Sequence, residues 1–387
     1  MNVREHRIYL DHSATTPVDP RVVKAMRPYW RATFGNSESS HAFGREAANA
    51  LERARQTVAT VLGCRLSEIV FTGSGTESDN LALRGAAWAA RQTGRGNHIL
   101  STPIEHHAVG HTLNQLRDLF GFDVELLPVD QYGLVDPDDV AAALRPETVL
   151  VSVILANNEI GTIQPAAEIG QICRSHGALF QTDAVQAPGR LALKTEPLNV
   201  DLLALSAHKF YGPKGVGLLY VRRDTPLVPA ITGGHHERGR RPGTVNVAGA
   251  IGLATALRLA EEARRKGSEL RSLRDRLIEG VLQNVPHSRL TGHPELRLAH
   301  HASFVFFGVE GESIVQALDM EGIAASSGAA CAEGEPEPSP VLTALGLEPS
   351  WGIGSLRLTL GRSSDQTDVD RLLHVLPGII SRLRDRG

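Results

Sequence analysis

The stretch DLLALSAHKFYGPKGVGLLYV (residues 201–221) contains two apolar runs on either side of a polar, glycine-rich segment with two lysines. The runs at 201–207 and 215–221 are short and apolar, which predicts two buried β-strands. Lys209 stands where the first run ends, whereas Lys214 lies between a proline and a glycine. The pattern alone leaves open which of the two lysines takes part in chemistry.

Five further apolar runs precede this segment and also predict strands: 68–73, 98–102, 123–129, 148–156 and 178–184. Helical patterns lie between many of them, as at 76–92 and at 165–177, where proline begins the helix and glycine ends it. Strands that alternate with helices form mostly parallel sheets covered on both faces. We therefore expect an α/β fold whose large domain contains a mostly parallel seven-stranded sheet.

The last third of the chain breaks this alternation. A long helical pattern from about Ala248 to Asn284 predicts a bridge to a second domain, which has strand-like runs at 302–309 and 355–361 and a last helix at 367–385. A chain of 387 residues is long for one compact core. We expect a large cofactor-binding domain at 16–260 and a smaller α/β domain formed by 1–15 and 261–387.

Composition and cysteine usage limit the partners and the cellular compartment that we expect for this protein. The net charge of -3 gives no reason to expect nucleic acid or a membrane surface as a partner, and no apolar run approaches the length of a membrane helix. The N-terminus, MNVREHRIYLDHS, lacks the apolar core of a signal peptide. Three distant cysteines, Cys64, Cys173 and Cys331, cannot all pair within one chain, which fits a reducing cytoplasm. We expect a cytoplasmic protein.

Two polar clusters follow predicted strands, where ligands gather in such sheets. FTGSGTESDN (71–80) is a glycine turn before a helix, which suits either an anion held by backbone N–H groups and Thr76 or a tight turn with a threonine cap. FQTDAVQ (180–186) ends a strand with Asp183, whose carboxylate could face a cationic nitrogen or cap a helix. Each cluster alone is weakly diagnostic.

Two further clusters occupy similar positions. LANNEIG (155–161) carries adjacent amides that could orient oxygen atoms or form a turn. PIEHHAV (103–109) supplies His106 and His107, and His111 follows at helical spacing. The HExxH pattern of zinc sites is missing here, so we expect no metal.

Taken in order along the chain, these motifs resemble those of the cysteine desulfurases, which belong to the class V aminotransferase group of pyridoxal-phosphate enzymes. The resemblance spans nearly the whole chain, and its other motifs are LDHSATTP (10–17), FGNSESSHAFG (34–44), SAHKFYGPKGVG (206–217), GGHHERGRRPGT (233–244), SSGAAC (326–331), EPSPVLTALG (337–346) and SLRLTLGR (355–362). It implies fold type I of the pyridoxal-phosphate enzymes, pyridoxal 5'-phosphate as cofactor and L-cysteine as substrate.

The resemblance also implies roles for single residues. Lys209 corresponds to the lysine that binds the cofactor covalently, and a lysine desolvated at a strand end is indeed nucleophilic. Asp183 would pair with the pyridine nitrogen and make the ring an electron sink. The other implied cofactor contacts are Gly75, Thr76, Ser206 and His208 at the phosphate, Asn158 and Gln186 at the phenolic oxygen, and His106 on the ring face.

Three more residues complete the implied site. Arg357 resembles the clamp for the substrate carboxylate, for which a planar fork is better suited than a lysine, and Asn36 would help it. Thr244 matches a phosphate contact that the family takes from the partner subunit. The resemblance therefore implies a homodimer.

Cys331 lies in ASSGAACAEGEPEPSP (325–340), a segment with little capacity to bury itself. A lone cysteine is more often an inert core thiol, which is our interpretation of Cys64 and Cys173. An exposed thiol on a mobile loop instead suits nucleophilic attack and delivery to another protein. The resemblance implies that L-cysteine becomes L-alanine while its sulfur remains on Cys331 as a persulfide, with Lys209 removing the α-proton and His106 carrying protons.

The spacing after Cys331 matches the long-loop group, which implies delivery of sulfur to acceptor proteins for iron–sulfur cluster assembly or thiolation. Glu333, Glu335 and Glu337 depart from a loop suited to a thiolate, so the acceptor and the ease of transfer stay open. An aminotransferase or a selenocysteine lyase of the same family stays a second hypothesis, and a non-catalytic scaffold a third. The presence of Lys209, Asp183 and Arg357 argues against the scaffold.

Overall fold

The computed structural model describes residues 7–265, 269–328, 330–332 and 335–385. The strands are β1 Ile8–Tyr9, β2 Ile69–Thr72, β3 His98–Ser101, β4 Asp123–Leu126, β5 Thr148–Ser152, β6 Leu179–Asp183, β7 Leu202–Ser206, β8 Gly217–Val221, β9 Ser288–Leu290, β10 His301–Phe306, β11 Ile323–Ala324, β12 Ala330–Ala332, β13 Glu335–Glu337 and β14 Ser355–Thr359. The α-helices are α1 Pro20–Met26, α2 Ala42–Leu62, α3 Gly75–Gln92, α4 His107–Phe120, α5 Pro137–Ala143, α6 Ala166–His176, α7 Thr195–Leu198, α8 Val247–Arg265, α9 Leu270–Asn284, α10 Gly311–Met320, α11 Pro340–Ala344, α12 Pro349–Gly352 and α13 Gln366–Arg384.

The seven strands predicted between residues 68 and 221 form one sheet, in the order β2-β8-β7-β6-β5-β3-β4. Strands β4, β3, β5, β6 and β7 run parallel to one another, and β8 is antiparallel to both of its neighbours, β7 and β2. The prediction of a mostly parallel seven-stranded sheet in an α/β fold is therefore confirmed.

Helices cover both faces of this sheet, which explains why its inner strands are mostly apolar. Helices α1, α2, α6 and α8 pack on one face, and α3 and α4 pack on the other. Every residue of β2, β3, β5, β7 and β8 is buried, whereas β4 at the edge of the sheet is partly exposed. Because these strands run parallel, their carboxyl ends lie along one edge of the sheet.

A second hydrophobic core lies in the C-terminal part of the chain. The antiparallel sheet β14-β10-β9 packs against α9, α10 and α13, and the N-terminal strand β1 joins this core by pairing with β11. The helical pattern predicted from Ala248 to Asn284 consists of two helices, α8 and α9, and residues 266–268 between them lie outside the described residues.

The segment around Cys331 folds back on itself. Strands β12 and β13 pair antiparallel, with Cys331 opposite Pro336. The structure describes the backbone of Cys331 but not its side chain, and Glu333 lies outside the described residues. In the part of the chain that is described, no helix has both the length and the apolar character needed to cross a membrane.

Candidate active site

A cavity of about 280 Å³ lies where β5, β6 and β7 end and α3 begins. Asp183 is the last residue of β6 and Ser206 is the last residue of β7, so the topology of the sheet places both at the cavity wall. The predicted site residues that line the cavity are Gly75, Thr76, His106, Asn158, Asp183, Gln186, Ser206, His208, Lys209 and Arg357.

Lys209 follows β7 in a short 3₁₀ turn and directs its amine to the N-terminal segment. Its Nζ donates hydrogen bonds to the carbonyl oxygens of Ser13 at 2.6 Å and Ala14 at 2.8 Å. Burial and then the charge of Arg357 lower the pKa of Lys209 to about 8. An amine with this pKa is partly neutral near pH 7 and can act as a nucleophile or a base.

Asp183 is 5% exposed, and its Oδ1 accepts a hydrogen bond from the backbone N–H of Val185 at 2.8 Å. Burial raises the pKa of this carboxyl group, while His106 and Lys209 oppose the effect. A carboxylate destabilised by burial gains most from a cationic partner. The position therefore suits a protonated heterocyclic nitrogen.

The first turn of α3 forms the anion-binding end of the cavity. A Cβ atom at Gly75 would come within 2.9 Å of Val185 Cγ2 and 3.1 Å of Ser206 Cβ, so only glycine lets the backbone approach. Ser74, not Thr76, caps the helix, because its Oγ accepts a hydrogen bond from the N–H of Glu77 at 3.1 Å. The Thr76 hydroxyl is thus left for a ligand at the positive end of the helix.

Two histidines of the cavity are held in their neutral form. Burial lowers the pKa of His106, and burial with the charges of Lys209 and Lys214 lowers that of His208 to about 4. His106 begins α4, and its Nδ1 accepts a hydrogen bond from the N–H of Ala108 at 3.0 Å. The proton of the neutral His106 ring therefore lies on Nε2.

Arg357 is oriented by two partners. One Nη donates to Asp11 Oδ1 at 2.9 Å and the other to the carbonyl of Asn158 at 3.2 Å. Its Nε is buried with no partner among the described residues. The guanidinium is therefore fixed in place while part of its hydrogen-bonding capacity is left for a ligand.

Gln186 points to a bound ligand as well. Its Nε2 donates to the carbonyl of Ser13 at 2.9 Å, while its Oε1 is buried without a partner in the described part of the chain. Because buried polar atoms are nearly always hydrogen-bonded, this atom indicates a missing group in the cavity. An anion-binding helix end, a buried carboxylate and a reactive amine around one cavity fit pyridoxal phosphate.

The sequence reasoning missed several residues that build the cavity. Ser13 and Ala14 line it, and Asp11 holds Arg357, although the motif LDHSATTP gave no sign of these contacts. Asp79 also lines it and accepts a hydrogen bond from Gln181 at 3.1 Å, and burial raises its pKa well above the usual value. Its place in α3, one turn after Gly75, was the signal that could have revealed it.

Glu105 is buried beside this group. Its Oε1 accepts hydrogen bonds from Thr102 Oγ1 at 2.9 Å and from the N–H of Ile154 at 2.8 Å, and burial raises its pKa to about 8. Besides burial, the charge of Asp183 raises the pKa values of Asp79 and Glu105, and the charge of Glu105 raises that of Asp79. The negative charge beneath the cavity is thus kept low near neutral pH.

Two predicted residues, Asn36 and Thr244, are not brought into the cavity by this chain. Asn36 is exposed and accepts a hydrogen bond from the N–H of Glu38 at 3.0 Å, and Thr244 is exposed in a loop before α8. The side chain of Cys331 is not described. The roles of these three residues stay predictions. Among the described residues, no group of three or more His, Cys, Asp or Glu side chains is arranged to hold a metal ion.

The fold and this cavity define a pyridoxal-phosphate enzyme of fold type I, with pyridoxal 5'-phosphate as its cofactor. The chain belongs to the family of class-V aminotransferases, whose model matches residues 8–372. The predicted resemblance to the cysteine desulfurases within this family is confirmed by the relatives that follow.

The chain is 48% identical to the cysteine desulfurase IscS of Methanosarcina thermophila, over 98% of this chain and 93% of the relative. It superposes on a solved NifS-like protein with a TM-score of 0.90 at 36% identity, covering 97% of this chain and 100% of the other. A solved structure of SspA in complex with cysteine gives a TM-score of 0.80 at 32% identity, covering 91% of this chain and 98% of the other.

Proposed function

We propose that the protein is a cysteine desulfurase that converts L-cysteine to L-alanine and transfers the sulfur to Cys331. The observation that carries this proposal is the convergence of Lys209, Asp183 and Arg357 on one cavity. An amine, a carboxylate for the pyridine nitrogen and a clamp for a substrate carboxylate are what a pyridoxal-phosphate enzyme acting on an amino acid needs. The names of the curated relatives support cysteine as that amino acid.

Lys209 would hold pyridoxal phosphate covalently, Gly75, Thr76, Ser206 and His208 would bind its phosphate, and Asp183, Asn158, Gln186 and His106 would surround its ring. When bound, the cofactor withdraws electrons from the α-carbon of the substrate. Arg357 would bind the substrate carboxylate, with Asn36 as a helper. Lys209, whose pKa is lowered to about 8, would remove the α-proton as a base matched to neutral pH.

The proposed sulfur transfer needs no added oxidant, because the electron pair of the broken C–S bond stays on the substrate carbon. The thiolate of Cys331 forms an S–S bond with the sulfur of L-cysteine, and the Cβ–S bond of the substrate breaks. The electron pair left on Cβ takes up a proton, for which the neutral His106 ring is the carrier. L-alanine leaves, and a persulfide remains on Cys331.

We also infer a homodimer. Thr244 does not line the cavity of its own chain, and it is exposed at the end of the glycine- and arginine-rich segment 233–244. Ile231, which is 50% exposed and lies two residues before this segment, adds apolar surface to this region of the sequence. In the proposed dimer, each segment 233–244 would bring Thr244 to the phosphate of the partner subunit.

The persulfide would pass to an acceptor protein, either an iron–sulfur scaffold or a thiolation protein. Cytoplasmic location follows from the need for a reduced Cys331 thiol. We place the domain boundaries at 16–260 for the large domain and at 1–15 with 261–387 for the small one, which is supported by the two hydrophobic cores.

The test uses the purified holoenzyme with L-cysteine, and alanine, sulfide and the mass of the Cys331 peptide are measured. We expect one alanine for each sulfur released and a persulfide on Cys331. Cys331→Ala should keep the yellow cofactor but lose the persulfide and most alanine release. Alanine production at about the parent rate in this variant would contradict the proposed role of Cys331, and the formation of a 2-oxo acid instead of alanine would favour an aminotransferase. The same assay with L-selenocysteine tests the hypothesis that the protein is a selenocysteine lyase.

A further inference from the structure

The carboxylate of Glu159 lies between the two ends of the segment that carries Cys331. On one side, Glu159 Oε2 accepts a hydrogen bond of 2.5 Å from the hydroxyl of Ser339. On the other side, a Cβ atom placed on Gly328 would lie 3.4 Å from the same oxygen. Glu159 is therefore hydrogen-bonded to the stem after Cys331 and lies near the stem before it; we call the segment 328–339 the Cys331 loop.

The stem after Cys331 is fixed through Ser339, which is 2% exposed. Its Oγ donates to Glu159 and also accepts a hydrogen bond from the N–H of Val341 at 3.1 Å, so that it caps α11. The Ser339 hydroxyl thus donates one hydrogen bond and accepts another. Glu159 thus determines the orientation of the helix cap with which the loop ends.

The stem before Cys331 is fixed along β14. The N–H of Gly328 donates to Ser355 Oγ at 2.9 Å, and Ser326 exchanges backbone hydrogen bonds with Arg357 at 2.7 and 3.3 Å. The loop therefore starts beside the residue that is proposed to bind the substrate carboxylate.

Glu159 itself belongs to the wall of the cavity. Its N–H donates to Asn157 Oδ1 at 2.7 Å, and the carbonyl of the preceding residue, Asn158, accepts from Arg357. Burial raises the pKa of Glu159, while Ser339, Arg357 and then His107 oppose this by favouring the charged form. The acid is therefore connected both to the cavity and to the loop.

We propose that Glu159 is a positioning residue that anchors the stem after Cys331 to the cavity wall through Ser339. This rests on the proposed function of Cys331 as sulfur acceptor. Attack within one molecule is fast when the nucleophile is confined near its target. Releasing this stem would lengthen the chain that tethers Cys331 and lower the effective concentration of its thiolate at the substrate.

The test compares Glu159→Ala, Glu159→Gln and Ser339→Ala with Glu168→Ala, an exposed acid in α6 that serves as the control. Each holoenzyme receives L-cysteine, and two quantities are followed: the change in cofactor absorbance, which reports substrate binding, and the rate of persulfide formation on Cys331, measured by peptide mass. Thermal unfolding midpoints accompany both.

We expect Glu159→Ala and Ser339→Ala to form the persulfide about tenfold more slowly or worse, the loss typical of one hydrogen bond to a charged group. Half-saturation of the absorbance change should stay within about twofold of the parent, since the cavity ligands are untouched. Glu159→Gln should recover most of the rate, because its amide oxygen still accepts from Ser339. Glu168→Ala should resemble the parent.

Parent-like persulfide formation in both Glu159→Ala and Ser339→Ala would overturn the proposal, as would an equal loss of substrate binding and persulfide formation. If Glu159→Ala fails to fold, the rates of persulfide formation in Ser339→Ala and Glu159→Gln decide whether the proposal holds. A parent enzyme that binds L-cysteine but forms no persulfide on Cys331 would instead refute the proposed function, and the two failures are thereby distinguished.

Discussion

Replacing Asp11 tests how the N-terminal segment prepares the proposed substrate site. Asp11 Oδ1 accepts a hydrogen bond from Arg357 at 2.9 Å, and the two side chains are 16% and 11% exposed. The charge of Asp11 also raises the pKa of Lys209 against the lowering effects of burial and Arg357. Asp11→Ala should therefore disturb both the carboxylate clamp and the reactive amine.

The size of the first effect follows from the geometry. A hydrogen bond between charged groups contributes about 1.5–3 kcal/mol, and little of this pair is exposed to screening by water. Each 1.4 kcal/mol corresponds to a factor of ten in binding, so we expect the KM for L-cysteine to rise about tenfold or more. Asp11→Asn, which keeps an acceptor but loses the charge, should show a smaller increase.

The second effect has a definite sign. Without the negative charge of Asp11, the pKa of Lys209 falls below about 8, and more of the amine is neutral at pH 7. The assay is the pH dependence of the reaction of pyridoxal phosphate with the cofactor-free enzyme, whose midpoint should move to lower pH. Steady-state kinetics with L-cysteine give the KM in parallel.

Asp370→Ala is the matched control, because Asp370 pairs with Arg276 at 2.6 Å on the surface, where both side chains are about half exposed. Such pairs contribute little to stability or function, and this variant should keep the parent KM and pH profile. An Asp11→Ala enzyme with a KM within twofold of the parent and an unchanged midpoint would refute the reasoning.

Three further predictions concern the rest of the chain. Arg55→Ala leaves Glu237, 1% exposed in its side chain, without its charged partner, although the N–H of Phe71 still donates to it. Urea unfolding should therefore reveal a loss of about 3–5 kcal/mol in the free energy of unfolding, and a loss below about 1 kcal/mol would show that the pair is not effectively buried. Burial lowers the pKa of His12 to about 4, so the contribution of its neutral ring to the free energy of unfolding is complete above pH 6.5 and is lost as the pH falls toward 4. Between pH 7 and 5 the parent should therefore lose about 2 kcal/mol that His12→Leu keeps. An equal dependence of unfolding free energy on pH in the two proteins would contradict this. Borohydride reduction of the holoenzyme and peptide mapping should place the pyridoxyl group on Lys209, and label on Lys214 would reverse the assignment.

Much of the fold was predictable because its signals are local. Strands buried on both faces are mostly apolar, and β5, β7 and β8 have this property, whereas β4 at the edge of the sheet is partly exposed. Asp183 and Lys209 come at or just after the ends of such strands, where ligands of α/β sheets gather, so their place near a site could also be predicted from the sequence. The helical pattern from Ala248 to Asn284 was less informative, because amphipathic periodicity does not reveal where one helix ends and the next begins.

The sequence by itself determined the sheet, the positions of the polar residues after its strands and the family of the enzyme. Only the tertiary structure decided which residues close the cavity: Lys209 meets Ser13 across 196 positions of the chain, and Arg357 meets Asp11 across 346. These contacts exist because β1 pairs with β11, far along the chain, and Asp11 bridges to Thr359. No local pattern encodes such pairings, since they depend on the packing of two cores against each other.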